Sequence, residues 1–598
     1  MPSYIPPIRD MQFLAYETFN VFEVFKEIPK YQELDQETIN AILEEGGKFA
    51  TEVLLPLNKV GDIEGCSLNP ITHGVKTPTG FKEAYKLFTD GGWASLSCSE
   101  DFGGQGLPYI INSMFYEMLN STNQSWAMYP GLTHGTYAAI FTNGTEEQKQ
   151  LYLPKLVSGE WTGTMCLTEP HCGTDLGLMT TKAEPLPNGT FKLNGTKIFI
   201  SSGEHDFTKN IVHLVLARLP DAPKGIKGIS LFVVPKNLVN NNGEIGEHNN
   251  IYCSGLEHKM GINGNSTCQM TLDGAIGTLV GEPNKGMQCM FVMMNAARLG
   301  VGNQSVGLGE VAFQNALNYA KERIQMRSLS GIKDKSKPAD PIIVHPDVRK
   351  MLMTAKAYTE GGRALEVFCS ILIEKEHNHP NEDVRTEAGE LLALLTPIAK
   401  AFLTDNGHIS TNYCLQVLGG HGFIKDWGLE QFVRDNRINM IYEGTNTIQS
   451  LDLLGRKVLI NNGKTLKKFG KIIMEFILEH DTNEKMSEFI TPLAQLTENM
   501  TKITTQIGFK SFQNQDEVGA ASVDYLRIVG HLVFAYLFAR MASIAQKEIK
   551  NGNKDPFYLA KIETARFYFK KLFPETLSLI YTVNSGSKSL MDTNNSLA

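Results

Sequence analysis

The run Arg434–Asp435–Asn436–Arg437–Ile438–Asn439–Met440–Ile441–Tyr442–Glu443–Gly444–Thr445 ends on a carboxylate set between an apolar pair and a glycine. A free Glu titrates near ~4.3. Burial against an apolar surface raises that value and makes Glu443 a better base near neutrality. Gly444 lets the backbone turn sharply just beyond it. A solvated loop carboxylate before a glycine is the plainer reading, and the rest of the chain weighs against it.

Two more segments carry chemistry. Thr164–Met165–Cys166–Leu167–Thr168–Glu169–Pro170–His171–Cys172–Gly173–Thr174–Asp175 reads as a loop leaving a strand, able to offer backbone N–H groups and hydroxyls to a flat heterocycle. Gln416–Val417–Leu418–Gly419–Gly420–His421–Gly422–Phe423 holds a Gly-Gly pair, whose bare backbone lets a phosphate approach closely. Its spacing of 23–24 residues ahead of Glu443 lifts it above a lone Gly-Gly.

With 598 residues the chain exceeds a single hydrophobic core and predicts three or four domains. Apolar residues at 42% and charged residues at 20% describe an ordered globular protein. A net charge of −8 disfavours nucleic acid as a partner. Nine scattered cysteines form no Cys-x-x-Cys pair, which fits free cytoplasmic thiols and gives no metal site. The start of the chain lacks a signal-peptide pattern, and no run of 18 apolar residues predicts an integral membrane segment.

Residues 1–34 read as an extended arm that packs on something, given Phe13, Phe19 and Phe22. Helical texture fills 35–161, with a capping pattern at Thr145–Gln148 and a glycine-rich loop at 103–108. A β domain follows over 162–280. Asn194–Gly195 predicts a hairpin there, and Ile211–Ala217 and Ile229–Val234 predict buried strands. Helices return over 281–458 as a four-helix bundle, and 459–598 forms an additional helical domain.

Together, in this order and spacing, the three segments resemble the acyl-CoA dehydrogenase family over roughly 35–455, and the arm and C-terminal module resemble its large bacterial subgroup. The resemblance implies an N-terminal helical domain, a central β-barrel-like domain, a C-terminal helical bundle and the extra module. It implies FAD as cofactor and α,β-dehydrogenation of an acyl-CoA to a trans-2-enoyl-CoA. Glu443 would take the α-proton, flavin N5 the β-hydride, and an electron-transfer flavoprotein the electrons.

Carried over residue by residue, Thr168 matches the hydroxyl that meets the flavin ring and Leu167 its backbone neighbour. Thr174 matches a serine at the pyrophosphate or substrate. Met165 stands where several members have an aromatic residue. Phe199 replaces a tryptophan near the ring, and Ser201 matches a threonine that donates to N5. Arg323, Gln416, Gly419 and Gly420 match pyrophosphate contacts made across a subunit boundary, which implies a homodimer or a dimer of dimers. Thr445 matches a cofactor contact. Arg298, Tyr442 and Gly444 match the substrate side, although an ion-pairing role suits Arg298 equally. No carboxylate stands beside Asn295, Ala297 or Arg298, where some branches place their base. Glu169 and Asp175 read as structural.

An acyl-CoA oxidase using O₂ is the nearest alternative. A flavin-binding DNA-damage-response protein is a more distant one, because residues 461–598 carry 17 basic and 14 acidic side chains, too even a balance for that role. Lys561, Arg566, Lys570 and Lys571 leave peripheral membrane contact open. Met287, Met290, Met293 and Met294 could line an adaptable acyl pocket or simply fill a core.

Overall fold

The computed structural model describes residues 2–597 and gathers into two compact units: Glu45–Gly300, and Met1–Glu44 with Val301–Ala598. The N-terminal stretch is helical where an extended arm was expected. It comprises α1 (Ile8–Gln12), a π-helical turn over Phe13–Thr18 and α2 (Val21–Glu27), with α3 (Gln36–Lys48) following. Phe13, Leu14, Val21 and Phe25 are buried. A helix satisfies the backbone groups that burial removes from water, which an unpaired extended segment could not do.

In Glu45–Gly300, α4 (Leu55–Glu64), the small hairpin β1 (Ser67–Leu68) and β2 (Val75–Lys76), and α5 (Phe81–Asp90) lead to α6 (Tyr109–Asn143) and α7 (Glu146–Val157). The expected cap on α7 is a reciprocal box: Gln148 N–H donates to Thr145 Oγ1, and Thr145 N–H donates to Gln148 Oε1.

The sheet strands are β3 (Thr162–Cys166), β4 (Lys182–Pro185), β5 (Phe191–Ser201), β6 (Ile211–Arg218) and β7 (Ile229–Pro235). A side hairpin of β8 (Asn237–Val239) and β9 (Ile245–His248) precedes β10 (Ile251–Leu256) and β11 (Thr267–Val280). Both faces of β6 are buried. Val212, Leu214 and Leu216 enter one core, while Val215 and Ala217 enter the other. That explains its unbroken apolar run.

The β domain is a mixed sheet, not the barrel that the resemblance implied. Its path runs β10–β11–β5–β4–β6–β3, with β7 joining β6 and β11. β10 and β3 each have one neighbour, and β4 meets β6 at the single pair Lys182–Arg218. β3 pairs in parallel with β6, and α6 covers β3 instead of a further strand. Thr133 Oγ1 on α6 accepts the Gly163 N–H at 3.1 Å, and a Cβ on Gly163 would lie 2.4 Å from Thr136.

Asn194–Gly195 is a second correction. It lies inside β5, which pairs with β4 and β11 along its length. The glycine is needed for close approach, since a Cβ there would sit 2.3 Å from Thr181 Oγ1.

In the other unit, α8 (Gly286–Glu322, entering this unit at Val301), α9 (Pro346–Asn378) and α10 (Glu382–Val417) form long bundle helices, followed by α11 (Leu429–Arg437) and the short α12 (Asn446–Leu451). The C-terminal module adds α13 (Lys464–His480), α14 (Ser487–Gln513), α15 (Asp516–Lys550), α16 (Pro556–Phe567) and α17 (Glu575–Ser585). Among the described residues α15 alone has the length and apolarity to cross a membrane, and 83% of its apolar window is buried within the fold.

A buried charge cluster ties the N-terminal stretch to bundle and module. Arg363 pairs with Asp10 and, at 2.6 Å, with Glu310, while Lys561 pairs with Asp10 and, at 3.0 Å, with Glu360.

Candidate functional site

The residues singled out from sequence divide between the two units. Met165, Leu167, Thr168, Thr174, Phe199, Ser201 and Arg298 belong to Glu45–Gly300. Arg323, Gln416, Gly419, Gly420, Tyr442, Glu443, Gly444 and Thr445 belong to the other.

In the first group, β3 delivers Met165, Leu167 and Thr168 as half-buried side chains at its C-terminal end. β5 fixes the loop that follows: Ile198 N–H donates to Thr168 O at 2.9 Å, and Lys197 Nζ donates to Leu167 O at 3.0 Å. The Ile198–Thr168 bond thereby sets Leu167 and Thr168 beside the end of β5 that carries Phe199. Thr174 is exposed further along the loop, and Ser201 is half-buried opposite Thr267.

Phe199 has φ 59° and is 59% exposed. A bulky residue in the left-handed region is strained, and such strain clusters at functional positions. Neither its exposure nor its backbone was legible in the apolar run around it.

Glu169 holds the loop together. Its two carboxylate oxygens accept from Lys197 Nζ (2.9 Å), from the Thr180 and Thr181 N–H groups (2.7 and 3.0 Å) and from both threonine hydroxyls. Burial pushes the Glu169 carboxyl up, but the Lys197 ammonium and the threonine donors outweigh it and hold it at about 2. Burial pulls the Lys197 ammonium down, against the Glu169 charge. His171 and Cys172 bring ligand atoms near Glu169, yet Lys197 already supplies the cation there. Asp175 accepts the Gly177 N–H and starts a short 3₁₀ turn. Met290 and Met293 are core residues, with Met287 and Met294 packed against them. Arg298 is buried and reaches Asn295 Oδ1 at 3.3 Å.

In the second group, Glu443 is half-buried in a tight turn with φ 59°, followed by Gly444 at φ 84°. The Gln449 amide donates to both the Glu443 and Gly444 carbonyls. The Tyr442 hydroxyl is held by Gln304 Oε1 and by Asn439 Oδ1, the latter at 3.2 Å. Thr445 precedes α12 as its N-cap.

Arg323, Gln416, Gly419 and Gly420 are all exposed at the C-terminal ends of α8 and α10. Tyr319 and His421 join these two ends by a 2.9 Å hydrogen bond, with His421 stacked on Trp427. Gly419 has φ 59°, and a Cβ on Gly419 or Gly420 would meet nothing within 4 Å. A guanidinium, a carboxamide and open glycine backbone suit a pyrophosphate. Thr168 and Phe199 give a hydroxyl and an apolar face to a planar ring. The residues present fit FAD.

Comparison with known proteins places the chain in a family. The chain matches the acyl-CoA dehydrogenase N-terminal domain (67–160), middle domain (164–275), C-terminal domain (284–459) and the acetyl-CoA dehydrogenase C-terminal-like domain (467–594). It is 40% identical to 3-methylmercaptopropionyl-CoA dehydrogenase of Ruegeria pomeroyi over 96% of each chain. It is 32% identical to a butyryl-CoA dehydrogenase of Syntrophomonas wolfei, over 99% of this chain and 98% of the relative. An acyl-CoA dehydrogenase from Bacillus anthracis, solved with FAD, superposes with a TM-score of 0.74 at 22% identity, over 94% of this chain and 90% of that one.

The chain belongs to the acyl-CoA dehydrogenase family. Within it, the chain is closely related to the bacterial 3-methylmercaptopropionyl-CoA dehydrogenase-like subgroup. Its activity is FAD-dependent dehydrogenation of an acyl-CoA.

Proposed function

We propose that Glu443 is the catalytic base of this reaction and that a short unbranched acyl-CoA is the substrate, with the 3-methylmercaptopropionyl thioester foremost. The observation that carries the first part is the Glu443 turn. A non-glycine residue held at φ 59°, braced by a buried amide and followed by glycine, is strain retained where a side chain must be aimed. The second part is supported by the 40% identity, over nearly the whole of both chains, to a relative named for that thioester.

In this reading Glu443 takes the α-proton, and the two electrons of the β C–H bond leave as hydride. Bound FAD supplies the acceptor for that hydride. Leu167 and Thr168 address the ring edge, with Met165 behind them and Ser201 as a further donor. Phe199 covers the ring. Arg323, Gln416, Gly419, Gly420 and Thr445 hold the pyrophosphate side. Thr174, Arg298, Tyr442 and Gly444 line the acyl-CoA. The exposure of Arg323, Gln416 and Gly419 favours a homodimer or dimer of dimers in which this donor group serves a neighbouring copy's cofactor. The free, mostly buried cysteines favour a cytoplasmic location.

Anaerobic bleaching of the flavin near 450 nm tests both parts against acyl-CoAs from C4 to C18 and 3-methylmercaptopropionyl-CoA. The expected result is fastest bleaching with the short members, and bound FAD without bleaching in Glu443→Gln. Fastest bleaching with C16 or C18 overturns the substrate class. Turnover at the wild-type rate in E443Q overturns the base.

A further inference from the structure

Glu443 and Gly444 are consecutive left-handed residues at φ 59° and 84°. Their carbonyls precede α12, whose backbone N–H groups point back along the chain. The Gln449 N–H, for example, is spent on Thr445 O at 3.1 Å. What reaches the two carbonyls is a side chain. Gln449 Nε2 donates to Glu443 O at 3.1 Å and to Gly444 O at 3.2 Å. One planar NH₂ group with two N–H bonds can serve two carbonyls at once, which a hydroxyl cannot.

Gln449 is completely buried, and its Oε1 has no hydrogen-bond partner among the described residues. Burying an amide with one face unsatisfied costs stability. An apolar residue of the same length would fill the space without that cost, so the N–H face is what the position uses. Flipping the amide would set Oε1 against two carbonyl oxygens, so its orientation is fixed.

The helix carrying Gln449 is itself anchored. Asn446, at the start of α12, accepts from Lys400 Nζ at 2.8 Å and donates to Asp405 Oδ1 at 2.6 Å. Lys400 and Thr404, both fully buried on α10, close this clamp. Gln449 therefore braces the turn from a fixed support.

We propose that Gln449 is a positioning residue for the dehydrogenation: it locks the Glu443–Gly444 peptide and thereby aims the carboxylate at the substrate α-carbon. The proposal rests on the reading of Glu443 as base. Without the brace, Glu443 relaxes toward the negative φ that its side chain prefers, and the carboxylate swings away. A displacement of ~1 Å costs about 10²-fold in rate.

The test uses full-length holoenzyme with Gln449→Met, which keeps length and burial but has no donor, and Gln449→Glu, which keeps shape but presents an acceptor. Butyryl-CoA and 3-methylmercaptopropionyl-CoA serve as probes, each also deuterated at the α-carbon. The expected result for both variants is full FAD content and unchanged KM, flavin reduction slower by about 10²-fold, and a larger α-deuterium isotope effect as proton removal becomes limiting. A merely structural role would lower FAD content or the active fraction and leave the isotope effect unchanged, which overturns the proposal. E443Q measured alongside separates the two ideas. Wild-type rates in Q449M with an inactive E443Q overturn the positioning role and keep the base, whereas an active E443Q overturns both. If Q449M fails to fold, Q449E gives the same reading.

Discussion

Replacing Lys197 with methionine isolates the pair that holds the loop from Leu167 to Thr181. Lys197 and Glu169 are 0% and 2% exposed, so solvent screens their 2.9 Å contact little. A carboxyl held at about 2 against an ordinary 4.5 contributes roughly 3 kcal/mol at pH 7, from ~1.36 kcal/mol per pH unit. Removing one partner of a buried pair costs about 3–5 kcal/mol, because the other charge stays buried. K197M should therefore lose about 3 kcal/mol or more, and Glu169→Gln in the K197M background should recover part of it. The Glu169 carboxyl is depressed in the folded state, so its contribution is complete above pH 4.5 and is lost as pH falls toward 2. Urea unfolding followed by tryptophan fluorescence reads the right unit, since Trp126 and Trp161 are both fully buried there. Losses that are small in K197M, or that add without coupling in the double variant, would refute the reasoning.

Gly195→Ala places a methyl 2.3 Å from Thr181 Oγ1 and should cost about 1–3 kcal/mol in the same urea titration. Gly470→Ala, where a Cβ in α13 meets nothing within 4 Å, should instead raise stability by up to ~1 kcal/mol. Phe199→Gly relieves a left-handed phenylalanine. The apoprotein should hold or gain up to ~1 kcal/mol, while FAD titration by fluorescence quenching shows weaker binding. Lys561→Met leaves Asp10 and Glu360 short of a buried cation and should cost about 3–5 kcal/mol in thermal unfolding.

Legibility followed the distance over which each signal acts. The capping box on α7 and the apolar runs of β6 and β7 are local or follow strand burial, and the structure has them. Asn194–Gly195 carried a strong hairpin signal, but the glycine answers to Thr181, which sequence does not place beside it. Residues 1–34 read as an extended arm, but their helices are stabilised by distant partners such as Phe557 against Phe13. In the site, residue type and spacing singled out Glu443, while Thr168 and Arg323 were expectations from the family resemblance. What they could not show was backbone conformation: the left-handed Phe199 and Glu443, and the Gln449 amide bracing the latter. Gln449 lies six residues beyond Glu443, and no motif in the sequence singles it out.

The C-terminal module shares a core with the bundle instead of hanging from it. Phe402 on α10 packs edge-on against Phe534 on α15 with centroids 4.9 Å apart. That approach depends on two glycines: a Cβ on Gly530 would lie 2.5 Å from Phe402, and one on Gly361 would lie 2.5 Å from Phe534. Polar contacts follow the same seam. Arg527 forks onto Glu575 at 2.7 and 2.8 Å and reaches Asn406 at 3.1 Å, while His531 bridges Glu575 and the Tyr568 hydroxyl. Burial pushes the Glu575 carboxyl up, yet its His531 and Arg527 partners hold it at about 2. Asn406 neighbours Asp405, which anchors Asn446 and with it the helix that carries Gln449. Gly530→Val should thus disturb more than the module. It should lower stability by about 1–3 kcal/mol and slow flavin reduction by butyryl-CoA in the enzyme that still holds FAD. Reduction at the wild-type rate in a destabilised G530V would show that the seam supports the fold without reaching the Glu443 turn.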